Sequence, residues 1–409
     1  MFSSLAKGIS RIKNLPMGRD VLQSLACTHL LGVRPMEGRN QLELFCNFVP
    51  GFPRTLQAIC DMPLILDCGN SGTTMRLLGG LLAHFPGGWR LVGDQSLMRR
   101  PMNRLIIPLQ KMGMPIQATD GHAPLEIGSE RRLVSCDIDL QVPSAQVKSA
   151  LMLAAMACPE GSTIKEQFST RDHSEKMLKL MGAPMTFSED YSVTMGPLKS
   201  ALGPIQTHLP GDPSSAAFLG VAALLLPGSN LILKDILLNP TRIAWVHLLI
   251  RAGAKIRILN QQIVDSELRG DVEFLYSNLS PISPEAEHMA HYIDEIPILA
   301  VAASQADGDS HFLGIAELRT KESDRVHAIV SNLRKMGVSV DELKDGFVVH
   351  GKTSLRGCPI TSFGDHRIAM AFSVGSLLCK EACLIDDSKC VDISFPEYYK
   401  TIKSLLKSR

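Results

Sequence analysis

Five segments of the chain repeat one pattern: an amphipathic helix that closes on a small residue plus glycine and runs directly into a strand. They read DVLQSLACTHLLGV, PMNRLIIPLQKMGMPI, SEKMLKLMGAPM, TRIAWVHLLIRAGAKI and DRVHAIVSNLRKMGVSV, and end on Gly32, Gly113, Gly182, Gly253 and Gly337. The copies lie roughly 70 to 85 residues apart, a period that implies a recurring structural unit. YYKTIKSLLKS at the C-terminus is a sixth, worn copy. A second helix type alternates with the first: GTTMRLLGGLLA, AQVKSALMLAAMA, SSAAFLGVAALLL, EIPILAVAASQA and HRIAMAFSVGSLL. These are apolar nearly all round and are expected to be buried. The expected fold is therefore α/β, with sheets wrapped around buried helices.

At 409 residues the chain can bury two cores of ordinary size. Six repeats then divide three to a lobe. THLPGDPSS, with Pro210, Gly211 and Pro213, is the expected crossing, which puts the lobes at 1–209 and 210–409.

Composition narrows the function. Lys plus Arg total 42 against 41 Asp plus Glu, so the overall field argues against non-specific nucleic-acid or membrane binding. Two Trp and five Tyr are too few for a stacking surface for single strands. The longest apolar run, Ala216 to Pro227, falls short of the ~20 residues of a membrane span. Ten Cys include no CxxC pair, and Cys379 and Cys383 have the i,i+4 spacing of a helix, which reads as packing rather than a metal site. A cytoplasmic protein with reduced thiols and no metal is expected.

The polar residues gather at the starts of the buried helices. In order they read CGNSGTTMR (Asn70, Gly72, Arg76), PSAQVKS (Ser144, Gln146, Lys148), GDPSS (Asp212, Ser214, Ser215), IDEIP (Asp294, Glu295) and GDHR (Asp365, His366, Arg367). Helix N-termini offer unpaired N–H groups and a positive dipole end, which suits phosphates and carboxylates. Taken singly, each Ser, Asp or Asn reads equally as an ordinary cap. GNSG alone lacks the glycine order of a nucleotide P-loop or a dinucleotide fold. Arginine is what capping leaves unexplained. Arg76, Arg100 in LMRRPM, Arg325 in KESDR and Arg367 stand beside such loops, where a cation gains nothing from the dipole but can hold planar oxyanions by paired hydrogen bonds. KESDR taken alone reads as a solvated, salt-bridged turn.

DCGNSGTTMRLLGG, SLMRRPMNRL, PSAQVKSALMLA, TRDHSEKML, PGDPSSAAF, NPTR, IDEIPILAVAA, LRTKESDR, DHRIAMAF and SFPEY stand in the order found in the 5-enolpyruvylshikimate-3-phosphate synthase family. The chain resembles that family, and its class II bacterial branch, from about Leu5 to about Tyr399. The resemblance implies a two-lobed inside-out α/β barrel of six βαβαββ-type repeats, closing on its substrates, with no cofactor. It implies transfer of an enolpyruvyl group from phosphoenolpyruvate to the 5-hydroxyl of shikimate 3-phosphate by addition and elimination, in the bacterial cytoplasm, by a monomer that glyphosate inhibits. Carried over by motif, Asp294 is the expected base for the 5-hydroxyl and Glu322 the acid for the methylene proton. Gly72, Arg100, Gln146, Arg325 and Arg367 resemble the phosphoenolpyruvate cradle. Ser144, Ala145, Gln146, Arg171, Asp294 and Lys321 resemble the shikimate 3-phosphate site. Asn70 and Arg76 are expected to shape the loop and bridge to acids, and His366 to be structural.

Two departures stand out. The family opens with a strand, a KS-S-R type motif and a buried helix ending in a phrase like LAEGTSRI, whereas here LAKGISRI occupies residues 5–12. Met1 to Ala6 thus read as the tail of that helix, the first repeat as incomplete, and the sequence as written as weakly active or inactive. Ile393 stands where many relatives carry lysine. A degenerate, non-catalytic shikimate 3-phosphate binder and the sister UDP-N-acetylglucosamine enolpyruvyl transferase are the alternative readings.

Overall fold

The computed structural model describes residues 1–38, 41–50 and 62–407. The chain forms two compact units, Met1–Leu209 and Pro210–Arg409, each with its own apolar core. The helices of the first are α1 (Arg19–Leu30), α2 (Gly72–Leu81), α3 (Gln95–Met98), α4 (Asn103–Lys111), α5 (Ala145–Ala155) and α6 (His173–Leu180). Those of the second are α7 (Pro213–Leu225), α8 (Ala244–Arg251), α9 (Ile296–Ala303), α10 (Arg325–Lys335), α11 (His366–Ser376) and α12 (Tyr398–Lys407). Ser408, the last residue of the worn sixth copy, lies outside the described residues.

Among the described residues, the first unit holds three four-stranded sheets. One has the order Gln206–His208, Lys7–Lys13, Gln41–Asn47, Arg34–Gly38; its register sets Arg11 opposite Glu43, and the two side chains pair at 3.0 Å. The others are Leu64–Asp67, Trp89–Val92, His122–Ile127, Ile116–Thr119, and Met185–Phe187, Ser192–Met195, Ser162–Glu166, Ile138–Leu140. The second unit has two three-stranded sheets, Asn230–Leu237, Glu267–Leu275, Lys255–Val264 and Asp309–Phe312, Gly346–His350, Ser339–Leu343. Its last sheet pairs only Pro359–Ile360 with Leu384–Ile385.

The all-round apolar segments are the interior helices. All eight residues of α9 are buried, and α7, α9 and α11 pack on one another. Each fully buried Leu or Ile there contributes ~1.5–3 kcal/mol relative to exposure. The other class lies nearer the surface: α4 buries Leu105, Ile106 and Leu109 but leaves Ile107 63% exposed. The five terminal glycines all adopt left-handed φ, between 81° and 92°, which ends each helix without the strain a Cβ would bring.

Backbone proximity fixes α2 against α5. A Cβ on Gly80 would stand 1.8 Å from the Ala150 carbonyl oxygen and 2.5 Å from its carbon. Backbone cannot swing aside as a flexible side chain can. Gly80→Ala is expected to destabilise the first unit by about 3 kcal/mol, read as a lower urea midpoint at unchanged slope. A wild-type midpoint would mean the two helices separate at little cost.

Two local expectations need correction. Met1 to Ala6 form not the end of an α-helix but a single 3₁₀ turn, Phe2–Leu5, with Leu5 buried, before the strand Lys7–Lys13. Cys379 and Cys383 are not a helical pair. After Ser376 the bonds tighten to i→i−3, with the Leu377, Leu378 and Cys379 amides donating to Val374, Gly375 and Ser376, and the chain leaves the helix. The two sulfurs still lie 3.9 Å apart.

Candidate active site

Capping accounts for many of the polar residues that start the buried helices. Ser71, Ser144, Asp212 and Asp365 accept from the amides of Thr74, Val147, Ser215 and Arg367 and so start α2, α5, α7 and α11; Asp324 does the same for α10 through His327. The arginines serve other ends, and each unit builds its own constellation around them.

In the first unit, the strand Leu64–Asp67 feeds a loop bent at Gly69, whose amide donates to Asp67 at 2.8 Å. Asn70 gives its amide to Asp94 at 2.6 Å and accepts from Arg100 at 3.3 Å. Asp94 caps α3 through Leu97, so the loop is braced by a helix start. Arg76, one turn into α2, donates to Gln146 Oε1 at 2.8 Å, and Gln146 donates onward to Thr73 Oγ1 at 2.7 Å. The expected bridge from Arg76 to an acid is, in this contact, a bridge to an amide. Gly72 lies beneath both guanidiniums: a Cβ there would meet Arg76 Nη1 at 2.6 Å and Arg100 Nη1 at 3.1 Å. Ser144 and Ala145 open α5 beside Gln146, while Arg171 stands in the segment between the strand Ser162–Glu166 and α6. The first unit thus brings Asn70, Gly72, Arg76, Arg100 and Gln146 together, with Ser144 and Ala145 adjoining in sequence.

In the second unit one buried cation organises the site. Arg325, 1% exposed, donates from Nε to Asp365 at 2.7 Å and from Nη2 to Glu322 at 2.6 Å, with Asp294 3.8 Å from Nη1. Burial alone would lower its pKa, but the charges of Asp365, Glu322 and Asp294 outweigh this and raise it. Arg367 closes the other side of Asp294, donating to its carbonyl at 3.0 Å with the carboxylate 3.6 Å away. The side chains of Asp294 and Glu322 are each 18% exposed, so two carboxylates reach solvent from a buried guanidinium. KESDR is therefore not a merely solvated turn. Only its flanks fit that reading: Lys321 pairs with Glu317 at 2.7 Å and Asp324 with Arg319 at 2.9 Å.

A family model for EPSP synthase (3-phosphoshikimate 1-carboxyvinyltransferase) matches residues 1–402. The chain belongs to the EPSP synthase family. A 3-phosphoshikimate 1-carboxyvinyltransferase of Syntrophomonas wolfei is 42% identical over 409 residues, covering 99% of this chain and 93% of that protein. One from Oceanobacillus iheyensis is 37% identical, covering the whole of this chain and 93% of its own length. The EPSP synthase structure from Acinetobacter baumannii superposes with a TM-score of 0.83 at 31% identity, over 99% of this chain and 92% of that one. The enolpyruvyl transferase NikO of Streptomyces tendae shares the fold, with a TM-score of 0.72 at 17% identity. The α/β architecture is thus that of EPSP synthases, which are enolpyruvyl transferases. Among the described residues, no helix is long and apolar enough to cross a membrane.

Sequence reasoning about this EPSP synthase family member passed over three supports. Asp94 and Thr73 are the partners of Asn70 and Gln146, and Asp365 is the counter-ion of Arg325 as well as a cap. The signal for Asp94 was its place in GDQSL, where Asp precedes a short helix. Thr73 and Asp365 left no local signal for their second roles.

His366 is buried, and among the described residues its Nδ1 has no hydrogen-bond partner. Burial lowers its pKa to about 4; Asp365 opposes this and Arg367 adds to it. The folded protein therefore holds a neutral ring, whereas the unfolded chain takes up a proton below ~6.5. The resulting stability is complete above that pH and is lost as pH falls toward 4, at about 1.4 kcal/mol per unit and about 3 kcal/mol in all. His366→Gln should shrink the difference in unfolding free energy between pH 7 and pH 4 by that amount. Equal slopes for the two proteins would show that His366 titrates normally.

Proposed function

We propose that this chain transfers the enolpyruvyl group of phosphoenolpyruvate to the 5-hydroxyl of shikimate 3-phosphate, with its two units as lobes of three repeats each in an inside-out α/β barrel. The observation that carries the reading is the Arg325 cluster, in which Asp294 and Glu322 reach solvent from one buried guanidinium. Family membership over residues 1–402 supports it.

In this reading the 5-hydroxyl oxygen attacks the central carbon of phosphoenolpyruvate, and its proton passes to Asp294. The methylene carbon takes a proton from Glu322, giving a tetrahedral intermediate. Glu322, now a carboxylate, then takes a proton back from the new methyl group as the bond from carbon to the phosphate oxygen breaks, so phosphate leaves and the enol ether forms. Gly72, Arg100, Gln146, Arg325 and Arg367 are the residues assigned to phosphoenolpyruvate in this reading. Guanidinium pairs suit its carboxylate and phosphate and stabilise the charge that develops there. Ser144, Ala145, Gln146, Arg171, Asp294 and Lys321 hold shikimate 3-phosphate, while Asn70 and Arg76 keep the loop in shape. No step needs a cofactor.

Phosphate release with both substrates, and none with UDP-N-acetylglucosamine as acceptor, is the decisive assay. Binding of shikimate 3-phosphate without turnover would favour a non-catalytic binder instead. Glyphosate acts in this reading as an anionic occupant of the phosphoenolpyruvate half. Because a methyl at Gly72 would press on Arg76 and Arg100, Gly72→Ala should raise both the KM for phosphoenolpyruvate and the glyphosate needed for inhibition by at least about tenfold. Unchanged values would detach Gly72 from that site.

A further inference from the structure

The fourth residue of α5 is a lysine inside an otherwise apolar buried helix. Lys148 extends its ammonium to Glu166 Oε2 at 2.7 Å and to Glu175 Oε1 at 2.6 Å, and all three side chains are 6% exposed or less. Thr170 closes the cluster by donating to both oxygens of Glu166, at 2.7 and 2.9 Å. Burial alone would lower the Lys148 pKa, but the two carboxylates outweigh it, so the ammonium stays charged. A buried ion cluster is a poor source of stability, because apolar residues of similar volume commonly do as well. What such a cluster does supply is register. It ties two pieces of chain to one atom, the end of the strand Ser162–Glu166 and the first turn of α6, and Glu166 in turn holds the segment through Thr170. Arg171 is the next residue after Thr170, and Ser144 to Gln146 form the turn of α5 from which Lys148 projects.

We propose that Lys148 is a positioning residue for the acceptor substrate: through Glu166, Thr170 and Glu175 it holds Arg171 in place relative to the N-terminus of α5. The proposal rests on the assignment of Arg171 and Ser144 to shikimate 3-phosphate made above. Lys148 need not touch the substrate. Its effect passes through Arg171, and that route is measurable as coupling between the two positions.

The test is a double-mutant cycle on the full chain, with the dissociation constant for shikimate 3-phosphate read by calorimetry and folding checked by thermal melting. Lys148→Met should weaken binding about tenfold, Arg171→Ala by more, and the double variant no further than Arg171→Ala alone. Glu175→Gln, which leaves Lys148 paired with Glu166, should weaken binding in the same non-additive way, and it carries the test should Lys148→Met not fold. Wild-type affinity in a folded Lys148→Met or Glu175→Gln protein would overturn the proposal, as would losses that multiply in the double variant. Arg171→Ala binding as tightly as the parent, or a parent that does not bind, would overturn the site assignment itself and the proposal with it.

Discussion

Arg325→Met is expected to destabilise the second unit by about 3–5 kcal/mol and to abolish measurable turnover. The stability loss follows from what stays behind. Asp365 is wholly buried and takes its 2.7 Å charged hydrogen bond from Arg325, so the methionine strands a carboxylate out of water. Glu322 loses its 2.6 Å partner as well. Against a typical total of ~5–15 kcal/mol, that leaves a marginal domain. Thermal melting and phosphate release measure the two effects separately. Arg325→Lys should regain part of the stability but little turnover, because one ammonium cannot reproduce a fork that reaches Asp365 and Glu322 from different nitrogens. Full activity in the lysine variant would show that charge alone, without geometry, is what the site requires.

Asp294→Asn should behave differently, with a fall in kcat of about 10²- to 10⁴-fold and a melting temperature close to the parent's. Its carboxylate is partly exposed, and asparagine keeps its size and one acceptor oxygen toward the two guanidiniums 3.6 and 3.8 Å away. What the amide cannot do is accept the hydroxyl proton. Glu322→Gln should lose activity in the same range while costing some stability, since Glu322 is held at 2.6 Å by Arg325. If Asp294→Asn kept its kcat within tenfold of the parent, another group would have to be the base.

What could be read from the residues beforehand was what depends on near neighbours. All-round apolar runs marked α2, α5, α7, α9 and α11, because no other environment accepts such a surface. Gly32 and its four counterparts marked helix ends, since a left-handed residue is a local need. The pairings inside the sites were not legible in that way. Arg325 meets Asp365 across 40 residues, and Arg76 meets Gln146 across 70, so only the fold brings them together. Lys148 was legible only as one of the polar residues at the start of α5, because its two carboxylates come from later strand and helix residues. The misreading of Cys379 and Cys383 has the opposite origin. Apolar composition continues past Ser376, but the tightened hydrogen bonds that end α11 depend on backbone geometry that composition does not encode.

Asp365 begins α11 through one oxygen and seats Arg325 mainly through the other. This double employment bears on how the protein can evolve. Asparagine would keep the capping geometry and surrender the charge; glutamate would keep the charge on an arm too long for the cap. No single-step neighbour satisfies both demands, so drift along this lineage should find position 365 closed while the surrounding surface changes freely.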